Sequence, residues 1–149
     1  MGTLKLVEIP HHSRAEIKNR YWKLKRMEFK NESAKEVVVS YIRSLDNQDF
    51  GVAEGYLSND IKIRGPDGEA FSNPPEFIEM LRKHHGKYVV KKVFVDRDDV
   101  CLLYDYTLPH ARAFMCSWYR VREGKITSIQ TIFDPRVFSS AADKQTSKL

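Results

Sequence analysis

The sequence predicts an α+β fold: a curved antiparallel sheet covered by about three helices and preceded by a basic helical arm. Three observations carry that expectation. Apolar residues recur at helical spacing between positions 33 and 85. From Lys87 onward the pattern changes to β-rich runs separated by short turn sequences. Each helical segment has one apolar stripe, so each must lie on the sheet by that side. A curved sheet closed by helices makes a cone with a pocket at its open end.

The elements follow in order. Residues 1–32 form the arm, with LKLVEI as a short strand candidate. Ser13 and Glu16 have capping-box spacing, and Ile17, Tyr21 and Leu24 continue at helical period. Ser33 and Glu36 repeat the capping box before the stripe Val37, Val38, Tyr41, Ile42 and Leu45, and that helix should stop near Asn47–Asp49. FGVAEGYLS reads as a second helix ending at Asn59–Asp60. IKIR is the first strand, and GPDG has β-turn composition, with Pro66, Asp67 and Gly68 at the second to fourth positions. Pro74–Pro75 open a third helix with Phe77, Ile78 and Leu81 on one face, closed by Gly86. YVVKKVFV, VCLLYDYTL, ARAFMCSWYRV and KITSIQTIF then read as strands of an antiparallel meander. Residues 33–138 make the domain, and 139–149 are a polar tail.

Composition narrows the function classes. The chain has 149 residues, enough for one self-sufficient core. Its net charge of +5 is concentrated in the arm, since residues 1–30 hold eight Lys/Arg against three Asp/Glu. The remainder is balanced, so no nucleic-acid-binding face is expected there. No apolar run reaches the roughly 18 residues of a membrane span, and no signal-peptide core is visible; a cytoplasmic protein is expected. The two cysteines, Cys101 and Cys116, lack metal-type spacing and read as buried strand thiols, with a reactive thiol or disulfide as the alternative.

Two segments, VVSYIRSLDNQDFGVAEGYLSNDIKI (38–63) and SWYRVREGKITSIQTIFD (117–134), resemble the nuclear transport factor 2-like superfamily, and within it SnoaL-like and ketosteroid-isomerase-like proteins. The resemblance implies the cystatin-like cone and dimerisation through the sheet. Members include isomerases, cyclases, dehydratases, epoxide hydrolases, ligand-binding proteins and assembly domains, so the fold does not select a function.

The resemblance puts Tyr41 where the steroid isomerases hold an oxyanion-stabilising tyrosine. The plain alternative is a core tyrosine whose hydroxyl meets the backbone. It also shows where carboxylates are missing. The base position falls on Gly65 and the second aspartate on Ser117. Asp67 reads as a turn residue, and so does Asp134 in FDPR. His84 and His85 end the third helix, either as proton carriers or as caps on its carbonyls. Strand alternation turns Leu102, Tyr104, Tyr106 and Leu108, Met115, Ser117 and Tyr119, and Ile129, Thr131 and Phe133 inward. With Tyr41 and Tyr56 these line an apolar, tyrosine-rich pocket, or fill the cone if there is no void. Cys101, Leu103, Asp105, Phe114, Cys116 and Trp118 face outward and suggest an interface. Arg64 and Arg112 are candidate anion anchors at the rim. His11–His12 could join His84–His85 around a metal only if the arm folded back, so no metal or organic cofactor is expected. The expected partner is a small apolar ligand, with a homodimer through the sheet. The alternative is a non-catalytic interaction module that uses the outer sheet face or the arm.

Overall fold

The computed structural model describes residues 13–21, 33–68 and 70–139. The chain divides into two units, Met1–Asn31 and Glu32–Leu149. In the first, residues 14–21 form helix α1. Ser13 and Glu16 complete a reciprocal capping box, with the Ser13 amide donating to Glu16 Oε2 at 2.9 Å and the Glu16 amide to Ser13 Oγ at 3.3 Å. The rest of the basic arm, including His11, His12 and the LKLVEI run, lies outside the described residues.

The second unit contains α2 (Ala34–Asp46), α3 (Phe50–Gly55), β1 (Leu57–Arg64), β2 (Ala70–Phe71), α4 (Pro74–Lys83), β3 (Lys87–Asp96), β4 (Asp99–Thr107), β5 (Arg112–Arg122) and β6 (Lys125–Ile132). Ser33 caps α2 by accepting from the Glu36 amide at 3.2 Å. The predicted stripe, Val37, Val38, Tyr41, Ile42 and Leu45, is buried. Each such aliphatic side chain contributes about 1.5–3 kcal/mol by leaving water. The helix ends at Asn47, and Gln48 reverses the chain with φ +60°. Asn73 stands at the N-cap position of α4 without a side-chain bond to the helix, and the first turn holds the two prolines where no amide donor is needed.

One six-stranded sheet has the order β2-β1-β6-β5-β4-β3. β3 to β6 form the predicted antiparallel meander. β1 departs from it, running parallel to β6 with Ile63 beside Ile129, so the sheet is mixed. Leu57–Asp60, read from sequence as the end of the second helix, belong to β1. The helix stops at Gly55 because the Tyr56 carbonyl is already accepting from the Ile126 amide at 2.8 Å. β2, which the sequence did not suggest, pairs with the end of β1 across the GPDG turn. That turn closes with the Gly68 amide on the Gly65 carbonyl at 3.3 Å, and Gly68 has φ +80°, a region open to glycine at no steric cost. Register shifts in β3, between Val90 and Lys92, and in β5, between Arg120 and Val121, mark irregularities of the kind that bend strands.

Burial alternates along β4 and β5 as expected, with one addition on the outer side. Asp105 is only 6% exposed, and its carboxylate meets Arg112 at 3.0 Å and Lys91 at 3.4 Å. Arg112 is therefore engaged on the outer face, not at the rim where an anion anchor was expected. After β6, residues 136–139 make a short helical turn. Asp134 starts it, accepting from the Arg136 amide at 3.0 Å and pairing with its guanidinium at 2.8 Å.

Candidate functional site

α2, α4, the inward side of the sheet, the GPDG turn and the residue 133–138 segment together enclose a cavity of about 390 Å³. Its wall is aromatic and aliphatic. Tyr41 comes from α2, Phe77 and Met80 from α4, and Tyr88, Tyr104, Tyr106, Met115 and Tyr119 from the sheet. Tyr41 and Met115 are buried, whereas Asp67 and His84 are exposed, so the space runs from a polar rim to a closed floor. Apart from tyrosine hydroxyls, Asp67 and His84 are the ionisable groups on the wall among the described residues.

The tyrosines are held by one another. Tyr88 packs against Tyr104 and Tyr106 with ring centroids 5.2 and 5.0 Å away, and Tyr41 meets the edge of Tyr119 at 6.2 Å. Behind this wall, Ser117 bridges three strands: its Oγ lies 2.8 Å from the Tyr104 hydroxyl and 2.8 Å from Thr131 Oγ1. The Tyr106 hydroxyl donates to the His84 carbonyl at 2.7 Å and accepts from the Gly86 amide at 2.7 Å. By contrast, Tyr41 and Tyr88 border the cavity, and none of the hydrogen bonds among the described residues reaches their hydroxyls.

Burial first, then the nearby Tyr104 and Tyr106, raises the Tyr41 phenol far above its ordinary value. Burial also holds Tyr88 and Tyr119 well above theirs, and pushes Tyr104 up to about 12 against the opposing pull of the Ser117 hydroxyl. Each phenol therefore stays protonated near neutral pH and can donate a hydrogen bond.

Most of the sequence-derived pocket set meets here. Tyr41, Tyr104, Tyr106, Met115, Tyr119 and Phe133 line the cavity, and so does His84. Four candidates do not, the first being Leu102, which is buried in the core opposite Ser117 and does not reach the wall. Ser117 faces inward but is fully buried beneath the Tyr104 hydroxyl, so it positions the wall instead of touching a ligand. Tyr56 is spent at the junction of α3 and β1, as the helix C-cap. His85 turns to the other side of α4, edge-on to Phe50 at 6.4 Å, with Nδ1 3.3 Å from the Arg82 carbonyl. Arg64 is exposed and is not part of the wall.

The structure also adds residues. Tyr88 was missed because the β3 irregularity hides its alternation; its pairing with Tyr106 would have placed it inward. Asp67 does sit in a turn, but that turn is part of the rim. Phe138, edge-on to Phe133 at 5.3 Å, closes one side, and no periodicity in the sequence announces it.

No group of three or more His, Cys, Asp or Glu side chains that could hold a metal occurs among the described residues. Nor is any described helix long and apolar enough to cross a membrane.

No curated protein matches the chain. Solved structures do. An NTF2-like protein of unknown function from Cytophaga hutchinsonii is 28% identical, with a TM-score of 0.68 over 72% of this chain and 95% of that one. An LEH-like epoxide hydrolase of M. tuberculosis is 19% identical, with a TM-score of 0.61 over 74% and 90% of the two chains. A de novo designed protein with a curved β-sheet reaches 0.63 at 24% identity, over 76% and 94%. The last two show likeness of fold alone. The SnoaL-like domain model matches residues 38–129, well over half of the sequence, and the chain belongs to that family within the NTF2-like superfamily.

Proposed function

We propose that the protein binds a small, mostly apolar molecule carrying one hydrogen-bond acceptor of the carbonyl type. The observation that supports this most strongly is the aromatic cavity with Tyr41 in its wall, where none of the hydrogen bonds among the described residues reaches the Tyr41 hydroxyl. That hydroxyl opens onto the cavity instead of being sealed in the core, and an acceptor bound there would receive its hydrogen bond. A filled core would leave no such space, and the volume falls within the range of small-molecule sites.

The same arrangement suits isomerisation, cyclisation or dehydration of a carbonyl compound. Tyr41 would donate to an oxygen on which negative charge develops, and His84 at the rim would carry the proton. The family's two aspartate positions hold Gly65 and Ser117, so this chemistry would run without them.

Titration with aromatic and alicyclic ketones, beside hydrocarbons of matched shape, tests the reading. Tyr41→Phe is expected to weaken ketone binding about tenfold, the worth of one buried hydrogen bond, and to leave hydrocarbon binding unchanged. Equal loss for both classes would remove the donor role.

A second reading concerns the outer sheet face. Phe114 is 60% exposed there and Trp118 45%, next to Phe94 and Ile132. Such a patch suits a second copy of the chain, giving a homodimer through the sheet. Sedimentation should show a dimer that Phe114→Asp converts to monomer; a monomeric wild type would end this reading.

A further inference from the structure

We propose that Cys101 and Cys116 form a reversible dithiol–disulfide couple on the outer face of the sheet. They sit on neighbouring antiparallel strands, β4 and β5, with Cys101 opposite Trp118 and Cys116 opposite Leu103. They are thus diagonal neighbours on one face, and their side chains converge until the sulfurs are 3.3 Å apart. A disulfide needs about 2.05 Å, so closure requires the sulfurs to approach by roughly 1.3 Å, with the local strand adjustment that a diagonal pair calls for. Both thiols are reduced and half-exposed. Neither belongs to the cavity wall, so the couple is independent of the ligand site.

The oxidant is a low-molecular-weight disulfide, such as oxidised glutathione. One cysteine thiolate attacks a glutathione sulfur, breaking the S–S bond and releasing one glutathione thiolate. The second cysteine thiolate then attacks the protein-bound sulfur and releases the other. Two protein thiols lose two electrons and two protons. Glutathione gains the electrons, and the released thiolates take up protons from solvent. Burial, followed by the hydrogen bond with Cys116, pushes the Cys101 thiol up to about 11. Exchange through that thiol therefore uses a small thiolate fraction and speeds up as pH rises toward that value. The closed bond ties β4 to β5 on the side of the sheet away from the cavity.

The test uses the full chain, kept dilute so that pairing of faces does not shield the thiols. It is equilibrated over a series of reduced-to-oxidised glutathione ratios, quenched in acid, alkylated and read by intact mass and peptide mapping. The expected result is joint loss of both alkylation sites, a peptide bridging Cys101 to Cys116, and full recovery on reduction. Cys101→Ser should then stop at a mixed disulfide on Cys116. Three results would overturn the proposal: thiols that stay alkylatable at every ratio, mixed disulfides on the wild type with no bridging peptide, or disulfides only between chains. The wild-type mapping decides the matter even if the serine variant folds poorly.

Discussion

Alanine at position 86 is expected to lower the stability of the fold by about 2–4 kcal/mol. A methyl group there would lie 2.6 Å from Cζ and 2.8 Å from Cε1 of Tyr106, and 2.9 Å from the Thr107 carbonyl oxygen. None of these atoms can give way cheaply. The Thr107 oxygen is backbone, and the Tyr106 ring is pinned through its hydroxyl to the His84 carbonyl and the Gly86 amide. Overpacking costs about 1–3 kcal/mol, and each displaced hydrogen bond adds about 0.5–1.5. Gly86 follows the C-terminus of α4, where sequence reasoning assigns it to helix capping. In the folded chain its lack of a side chain lets the α4–β3 connection approach a tyrosine of the cavity wall. Urea unfolding of Gly86→Ala beside Tyr106→Phe separates the two contributions, since phenylalanine loses the hydrogen bonds but keeps the ring. A midpoint for Gly86→Ala equal to wild type would mean that the ring is free to move.

Met115→Trp is expected to abolish ligand binding while leaving the fold intact. Met115 is buried on β5 opposite Tyr104, and its side chain borders the cavity. In a filled core the larger indole would be overpacked. Here the additional volume can enter the cavity, so the stability cost should stay at or below about 1–3 kcal/mol. A ligand must then compete for occupied space, and its affinity should fall by at least about 100-fold, equivalent to about 2.7 kcal/mol. Loss of folding cooperativity, instead of loss of binding, would indicate that the cone has no room at this point.

The sequence made much of this fold legible because its strongest signals are local. Ser33 with Glu36, Pro74–Pro75 and the stripe from Val37 to Leu45 each encode a helix start or a helix face within a few residues. The period of two along β4, β5 and β6 identified Tyr104, Tyr106, Met115 and Tyr119 as inward. The parallel pairing of β1 with β6 was not legible, because it joins Ile63 to Ile129 with no turn to signal it. The start of β1 was hidden for a related reason: Leu57–Asp60 contain no β-branched residue, and their conformation is set by distant partners.

The site was legible in outline but not in depth. Alternation tells which face a side chain takes, and Ser117 does face inward. It cannot tell that the Tyr104 hydroxyl lies over Ser117 and keeps it from the cavity. His84 and His85 are adjacent in sequence, yet one lines the cavity and the other packs on Phe50, because consecutive residues at the end of α4 point in different directions. Asp67 is the turn residue that its Pro-Asp-Gly setting suggests, and the fold nevertheless brings that turn to the rim.

Calorimetric titration of one neutral ketone into wild type, Tyr41→Phe and Met115→Trp tests the central claim most directly. The expected result is saturable one-site binding to wild type, about tenfold weaker in Tyr41→Phe and undetectable in Met115→Trp, with all three proteins folded. Equal affinity in all three would contradict it, by placing the ligand outside the tyrosine-lined cavity.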